Sequence, residues 1–133
     1  INKQLKHTIM KKLLYTFLVV SIIFSACKKE EENPSSPFVG YWSGNYSGDY
    51  DGQWDANISS AGEINGGAYS VDLPEGVDLN GTVTNSGDFT AIIGTGSLGI
   101  NFIGQLSGNS GSGTWSSSTD SSIGTWEGHN YNQ

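Results

Sequence analysis

The sequence predicts an all-β fold: an antiparallel up-and-down meander of about eight strands, closed into a small barrel. Beyond residue 38, apolar and polar residues alternate with a period of two, and no window has the spacing of an amphipathic helix. Turn residues, many of them glycine, recur every eight to twelve positions. Eight antiparallel strands can close into a barrel, which removes exposed sheet edges. An open sheet or a two-sheet arrangement is the alternative.

Turn signals divide the domain into separate strands. The links at 60–62, 85–87 and 108–110 contain Gly or Asn, which suit tight hairpins, so consecutive strands are expected to be antiparallel neighbours. The longest connection, Ser70 to Gly76, contains Pro74 and is predicted to be a loop. The strands are predicted near residues 38–48, 51–60, 62–70, 77–85, 87–95, 98–107, 111–118 and 122–131.

Residues 1–26 have the three-part layout of an export signal. Met10, the expected start of translation, opens a basic segment, Leu13 to Phe24 is almost wholly apolar, and Ser25-Ala26 supplies small residues before a cysteine. A membrane-spanning helix is the alternative, but it needs about 20 apolar residues, more than this run provides. We therefore predict a signal peptide over 1–26, a flexible tether over 27–37 and the all-β domain over 38–133.

Cys27 is the only cysteine, so no disulfide can form within the chain. Its position after Ser25-Ala26 resembles the bacterial lipobox, in which the cysteine becomes the lipidated first residue of the mature protein. The resemblance implies a membrane anchor made of acyl chains. The alternative is an unmodified free or buried cysteine.

The charged run after Cys27 resembles the lysine-plus-acidic export tag of surface lipoproteins in Bacteroidetes-type bacteria. The resemblance implies display on the cell surface from the outer membrane, with a periplasm-facing anchor as the alternative. A solvated charge run that extends the tether is the other interpretation. The tag residues are Lys28, Lys29, Glu30, Glu31 and Glu32.

The charge of the domain limits the classes of partner that it is expected to bind. All six lysines precede residue 30, the chain has no arginine, and ten of its thirteen carboxylates follow Glu32, so this part has a formal net charge of −10. Nucleic acid is therefore not expected as a partner, because neutralising phosphates needs a basic surface. A neutral or cationic partner is favoured.

Aromatic residues beside glycines are the candidate ligand-binding residues. A glycine leaves room for a large neighbour in a small barrel, so packing in the core is one interpretation and the lining of a ligand pocket the other. The candidates are Trp42, Trp54, Trp115, Trp126 and Tyr69.

Three stretches, 39–42, 54–58 and 61–69, resemble the opening strands of avidin-like barrels. They cover about a third of the domain. The resemblance implies the barrel architecture, with a ligand cavity as one option. The later strands lack the family's tryptophan-bearing segments, so no biotin-binding residue is carried over.

The sequence offers little for catalysis, and we predict no catalytic residue and no cofactor. His129 is the only histidine of the domain, which contains no Lys or Arg to stabilise developing negative charge. Asp49, Asp51 and Asp55 surround Gly52 and are reminiscent of an oxygen-rich calcium loop, although Asp and Gly also suit a hairpin turn.

The function expected from these features is a membrane-anchored, non-catalytic module for binding or adhesion, directed at a small molecule, a glycan or a protein. An envelope-structural or enzyme-inhibiting lipoprotein is the alternative, and a hydrolase comes third. A cavity lined by the tryptophans favours a small ligand. A filled barrel with exposed aromatics favours a glycan or a protein.

Overall fold

A closed barrel of eight antiparallel strands in up-and-down order forms the domain in a computed structural model, which describes residues 33–94 and 99–132. β1 pairs with both β2 and β8, so the predicted closed barrel is confirmed and the open and two-sheet alternatives are wrong. The strands are β1 (Gly40–Gly48), β2 (Gly52–Ile58), β3 (Glu63–Ser70), β4 (Leu73–Val83), β5 (Asp88–Ile93), β6 (Ile100–Ser107), β7 (Ser110–Ser117) and β8 (Ile123–Asn130).

The predicted signal peptide, Cys27 and the charged run Lys28 to Glu32 lie outside the described residues. Within the residues that are described, no helix has the length and apolar character needed to cross a membrane.

The connection between β3 and β4 differs from the prediction. Ser70 pairs with Leu73, so the turn is Val71-Asp72 alone, and the predicted loop from Ser70 to Gly76 is mostly strand. Pro74 is tolerated because the pairing of β4 with β5 begins only at Leu79, so the missing N–H of Pro74 removes no bond to β5. The β3–β4 hairpin therefore extends past the paired part of the barrel.

One end of the barrel is capped by the chain that leads into β1. The Ser36 N–H donates to the Ser60 carbonyl at 2.8 Å, and the ring of Phe38 packs edge-on against Trp42 with centroids 6.4 Å apart. The indole N–H of Trp42 donates to the Phe38 carbonyl at 2.8 Å. We call this the capped end. The turns after β1, β3 and β7 lie at the opposite end, which we call the mouth.

Large aromatic side chains fill the interior, because the inward positions of the period-two pattern include all four tryptophans. Each tryptophan is at most 2% exposed. Trp126 packs against Phe89 with centroids 4.6 Å apart and edge-on against Trp54 at 5.7 Å. The middle of the barrel is thus a packed core.

Three tryptophans share one packing arrangement across neighbouring strands. Each tryptophan pairs with a glycine on a neighbouring strand, and that glycine pairs with a second glycine one strand further on. The indole N–H of the tryptophan donates to the carbonyl of the residue that precedes the second glycine, at 3.0–3.1 Å. In each set, a Cβ on at least one of the two glycines would overlap the indole ring: on Gly128 for Trp54, on Gly124 for Trp115, and on either glycine for Trp126. The sets are Trp54 with Gly44 and Gly128, Trp115 with Gly124 and Gly48, and Trp126 with Gly113 and Gly104. The carbonyls belong to Glu127, Ser47 and Ile103.

Candidate ligand site at the barrel mouth

The mouth of the barrel holds a cavity of about 350 Å³, at the lower end of the range of about 300–1,000 Å³ typical of small-molecule sites. Its floor is apolar and aromatic, and its rim carries carboxylates. We call it the mouth cavity. The floor consists of Tyr46, Tyr50, Ile93, Ile100, Phe102 and Trp115, and the rim includes Asp49, Asp51, Val71, Asp72 and Leu73.

Trp115 is the centre of the aromatic floor. Tyr50 stacks on it with centroids 6.2 Å apart and planes inclined by 28°, and Phe102 stacks at 6.5 Å and 26°. Tyr46 meets Trp115 and Phe102 edge-on, at 6.2 and 6.0 Å. Such offset and edge-to-face contacts fix the rings, so the floor is formed without a ligand.

Strand register places these rings together. Phe102 and Trp115 are direct partners across β6 and β7. Tyr46 points inward because it shares the parity of Trp42 on β1, and its hydroxyl donates to the Tyr69 carbonyl at 3.1 Å. Burial raises the pKa of Tyr46, and the nearby Asp51 raises it further, against a hydrogen bond with Ser70 that lowers it. The phenol is therefore neutral at pH 7.

A carboxylate holds the Tyr50 ring against Trp115. The Tyr50 hydroxyl donates to Asp120 Oδ2 at 2.8 Å, and the Ser122 N–H donates to Asp120 Oδ1 at 3.1 Å. Hydrogen bonds from Ser117, Tyr50 and Ser122 lower the pKa of Asp120 below its ordinary value. Asp120 is thus ionised at neutral pH and keeps the Tyr50 ring on one side of the cavity.

The rim is negatively charged. Asp49 accepts a hydrogen bond from the Ile123 N–H at 2.9 Å, and Asp51 accepts one from the Gly48 N–H at 3.2 Å. These bonds fix two carboxylates at the cavity edge, beside Asp72. No Lys or Arg follows residue 32 in the sequence, so the domain has none to balance them. The potential at the mouth favours a neutral or cationic ligand over an anion.

The candidates from the sequence occupy different places. Trp115 lines the mouth cavity, whereas Trp42, Trp54 and Trp126 pack in the core. Tyr69 lies on the outer wall, 36% exposed.

The three aspartates of the candidate calcium loop do not converge on one point, and each has a different hydrogen-bond partner. Asp49 and Asp51 cap backbone N–H groups at the rim, while Asp55 accepts a hydrogen bond from the Tyr41 hydroxyl on the outer wall. In the part of the chain that the structure describes, no three His, Cys, Asp or Glu side chains are grouped so that they could hold a metal ion.

Most residues of the cavity floor were not identified as candidates from the sequence. Tyr46 could have been found from its inward parity with Trp42, but Tyr50 lies between two aspartates in a turn and had no such signal. Ile93, Ile100 and Phe102 appear in the sequence only as strand residues. Their role depends on which end of the barrel they occupy, and the hairpin register decides that.

No protein-family model matches the chain, and no curated protein matches it. The functional argument therefore rests on the residues and geometry of the domain.

Proposed function

We propose that this protein is a lipid-anchored, non-catalytic binding module that takes a small, largely apolar ligand at the mouth cavity. The ligand is neutral or positively charged. The observation that supports the proposal is the preformed aromatic floor around Trp115 beneath a rim of aspartates.

The mouth suits this task better than the interior. Trp54, Phe89 and Trp126 already fill the centre of the barrel. At the mouth, an apolar ligand would cover the exposed parts of Tyr46, Tyr50 and Leu73 and gain about 25 cal/mol for each Å² of apolar surface removed from water. A cationic group on the ligand would lie between aromatic faces and the rim carboxylates, where cation–π and charge attraction act together.

The chain enters β1 through Ser36 and Phe38 at the capped end, so the mouth lies at the end of the barrel opposite this entry. His129 is exposed on the outside of β8, and the proposal gives it no catalytic role.

The ligand proposal is tested with two dyes that share the same rings and differ by one anionic group. N-phenyl-1-naphthylamine is neutral, and 8-anilino-1-naphthalenesulfonate has the same rings and a sulfonate. We expect the mature chain with Cys27→Ser to bind the neutral dye, seen as dye fluorescence and quenching of tryptophan, and to bind the sulfonate at least about tenfold more weakly.

Variants assign the binding to the mouth cavity. Tyr50→Ala should weaken binding of the neutral dye. Tyr50→Phe should keep most of the affinity, because the ring remains stacked on Trp115. Asp72→Asn should reduce the difference between the two dyes. Equal affinity for both dyes, no binding of either, or binding unchanged by Tyr50→Ala would contradict the proposal.

The anchor is tested separately by intact mass. We expect a mature protein that begins at Cys27 and carries the added mass of acyl chains. An unmodified cysteine still joined to Ala26 would refute the anchor and leave the ligand site untouched.

A second candidate function is contact with a protein partner through the β3–β4 hairpin. Val71 is 96% exposed and Leu73 is 52% exposed, and adjacent apolar side chains in such a position are typical of contact surfaces. A photo-crosslinking residue at position 71 should give a specific adduct on cells, and one at position 103, on the outer wall of β6 two strands from β4, should not. The absence of an adduct at position 71 would remove this candidate.

A further inference from the structure

A second concave surface lies on the outer wall of the barrel, away from the mouth. It encloses about 290 Å³ against the outward faces of β1, β2 and β3. Three tyrosines surround it and short polar side chains form its floor. We call it the tyrosine cradle. The tyrosines are Tyr41, Tyr69 and Tyr131, and the polar residues are Ser43, Asn45, Gln53 and Asp55.

Strand register explains the depression. Ser43, Asp55 and Gly67 are neighbours across the three strands, so one row of the wall has short side chains or none. Asn45, Gln53 and Tyr69 form the next row. The low row beside the taller tyrosines makes a trough in the outer wall.

Two glycines leave the space that the Tyr69 ring occupies. A Cβ on Gly67 would lie 2.7 Å from the Tyr69 hydroxyl, and one on Gly76 would lie 2.7 Å from Tyr69 Cδ1. The ring therefore extends back over Gly67, along the wall and not out into solvent. Gly76 also has a φ of +76°, which a residue with a side chain rarely adopts. The placement of this ring thus depends on glycine at both positions.

Hydrogen-bonding groups converge beside the rings. The Tyr41 hydroxyl donates to Asp55 Oδ2 at 3.2 Å. Burial and the contact with Asp55 raise the pKa of Tyr41, and Tyr69 and Tyr131 are near enough to raise it further. The amides of Asn45 and Gln53 add donors and acceptors to the same floor.

We infer that the tyrosine cradle binds a neutral saccharide. One face of a pyranose ring presents C–H groups, which pack on an aromatic ring, while its hydroxyls project sideways and need both donors and acceptors. The cradle offers this combination, with rings at its sides and a carboxylate and two amides on its floor. An apolar ligand would leave those polar groups without partners, and an acidic saccharide would meet the negative charge of the domain.

This inference is independent of the mouth cavity, because none of the residues named for the cradle lines that cavity. The intact chain is run in affinity gels that contain laminarin, starch, galactomannan, arabinoxylan or, as the acidic comparison, polygalacturonate. A polyoxyethylene detergent keeps any anchored form dispersed and contains no sugar. We expect at least one neutral polysaccharide to retard the protein and polygalacturonate to leave its migration unchanged.

Variants locate the binding. Tyr69→Ala and Tyr131→Ala should each weaken retardation about tenfold, and Tyr69→Phe should retain it because the ring face remains. Tyr131 is 68% exposed, so its substitution is not expected to disturb the fold. Ile103→Ala is the matched control, since Ile103 is an exposed residue of β6, four strands around the barrel from β2, and should bind like the wild type.

Three results would overturn the inference. The first is no retardation by any neutral polysaccharide, and the second is retardation that survives both Tyr69→Ala and Tyr131→Ala. The third is equal loss in Ile103→Ala, which would indicate a general effect and not the cradle.

Discussion

Replacing Gly128 by alanine should destabilise the barrel at the seam between β1 and β8. Gly128 pairs with Gly44, Gly44 pairs with Trp54, and the Trp54 ring reaches Gly128. Its backbone is not left-handed, so alanine meets no conformational penalty there. An added Cβ would instead overlap the six-membered ring of the indole at Cζ2 and stand 3.0 Å from Cη2. Trp54 must therefore move.

The size of the effect follows from these contacts. Overpacking of a filled core costs about 1–3 kcal/mol. Displacing the ring also strains the bond from the Trp54 indole to the Glu127 carbonyl, and such a bond contributes a net 0.5–1.5 kcal/mol, roughly. Alanine recovers part of this loss through its lower backbone entropy. We expect a loss of about 2–3 kcal/mol, and a Tm lower by about 10–20 °C for a domain of this size.

Urea unfolding, followed by tryptophan fluorescence, measures the loss. The matched control is Gly108→Asn, because Gly108 has a φ of +57°, which asparagine tolerates, and open space around its Cβ position. That control should change stability by less than about 0.5 kcal/mol.

A double variant tests the cause. Trp54→Phe removes the part of the ring that meets the new Cβ, so Trp54→Phe with Gly128→Ala should lose at least about 1 kcal/mol less than the two single losses together. A Gly128→Ala change below about 0.5 kcal/mol, or strictly additive losses, would refute the packing argument.

Two pH-dependent predictions follow from the mouth. Because the pKa of Asp120 is lowered, its ionised form stabilises the fold at every pH above the ordinary aspartate pKa of about 3.9. This contribution is lost as the pH falls through the lowered pKa. Asp120→Asn should therefore be less stable than the wild type at pH 7 but approach it in strong acid, and an unchanged difference in urea midpoints would argue against the hydrogen bonds from Tyr50 and Ser122. Tyr46 has a raised pKa, so its neutral form contributes stability below about pH 10, and that contribution is lost as the pH rises through the raised value. Tyr46→Phe should lose less stability than the wild type between pH 9 and pH 12. Parallel curves of stability against pH for the two proteins would contradict burial of the phenol.

Much of the fold could be predicted from local pattern. Period-two alternation from Trp54 to Ile58, and again from Leu79 to Val83, set the inward faces correctly, and the short links located the hairpins. Barrel closure was also predicted, because eight up-and-down strands leave two edges that can pair. The β3–β4 turn was misplaced because Pro74 was taken to exclude a strand, whereas it lies where β4 has no bond to β5 to lose.

The candidate sites were harder to predict, because they depend on contacts between distant strands. Trp115 and Trp126 occur in the sequence beside glycines in much the same way, yet one reaches the mouth and the other packs against Phe89. The difference lies in the level each strand occupies along the barrel axis. The cradle requires Tyr69 of β3 beside Gln53 of β2, and alternation alone does not supply that register.

Site-resolved NMR of the four indole N–H groups tests the proposed ligand site most directly. Trp115 lines the mouth cavity, while Trp42 lies at the capped end with its indole bonded to Phe38. On titration with N-phenyl-1-naphthylamine, we predict that the indole resonance of Trp115 shifts with saturation and that the resonance of Trp42 does not move. A bound dye that shifts Trp42 and leaves Trp115 unchanged would contradict binding at the mouth.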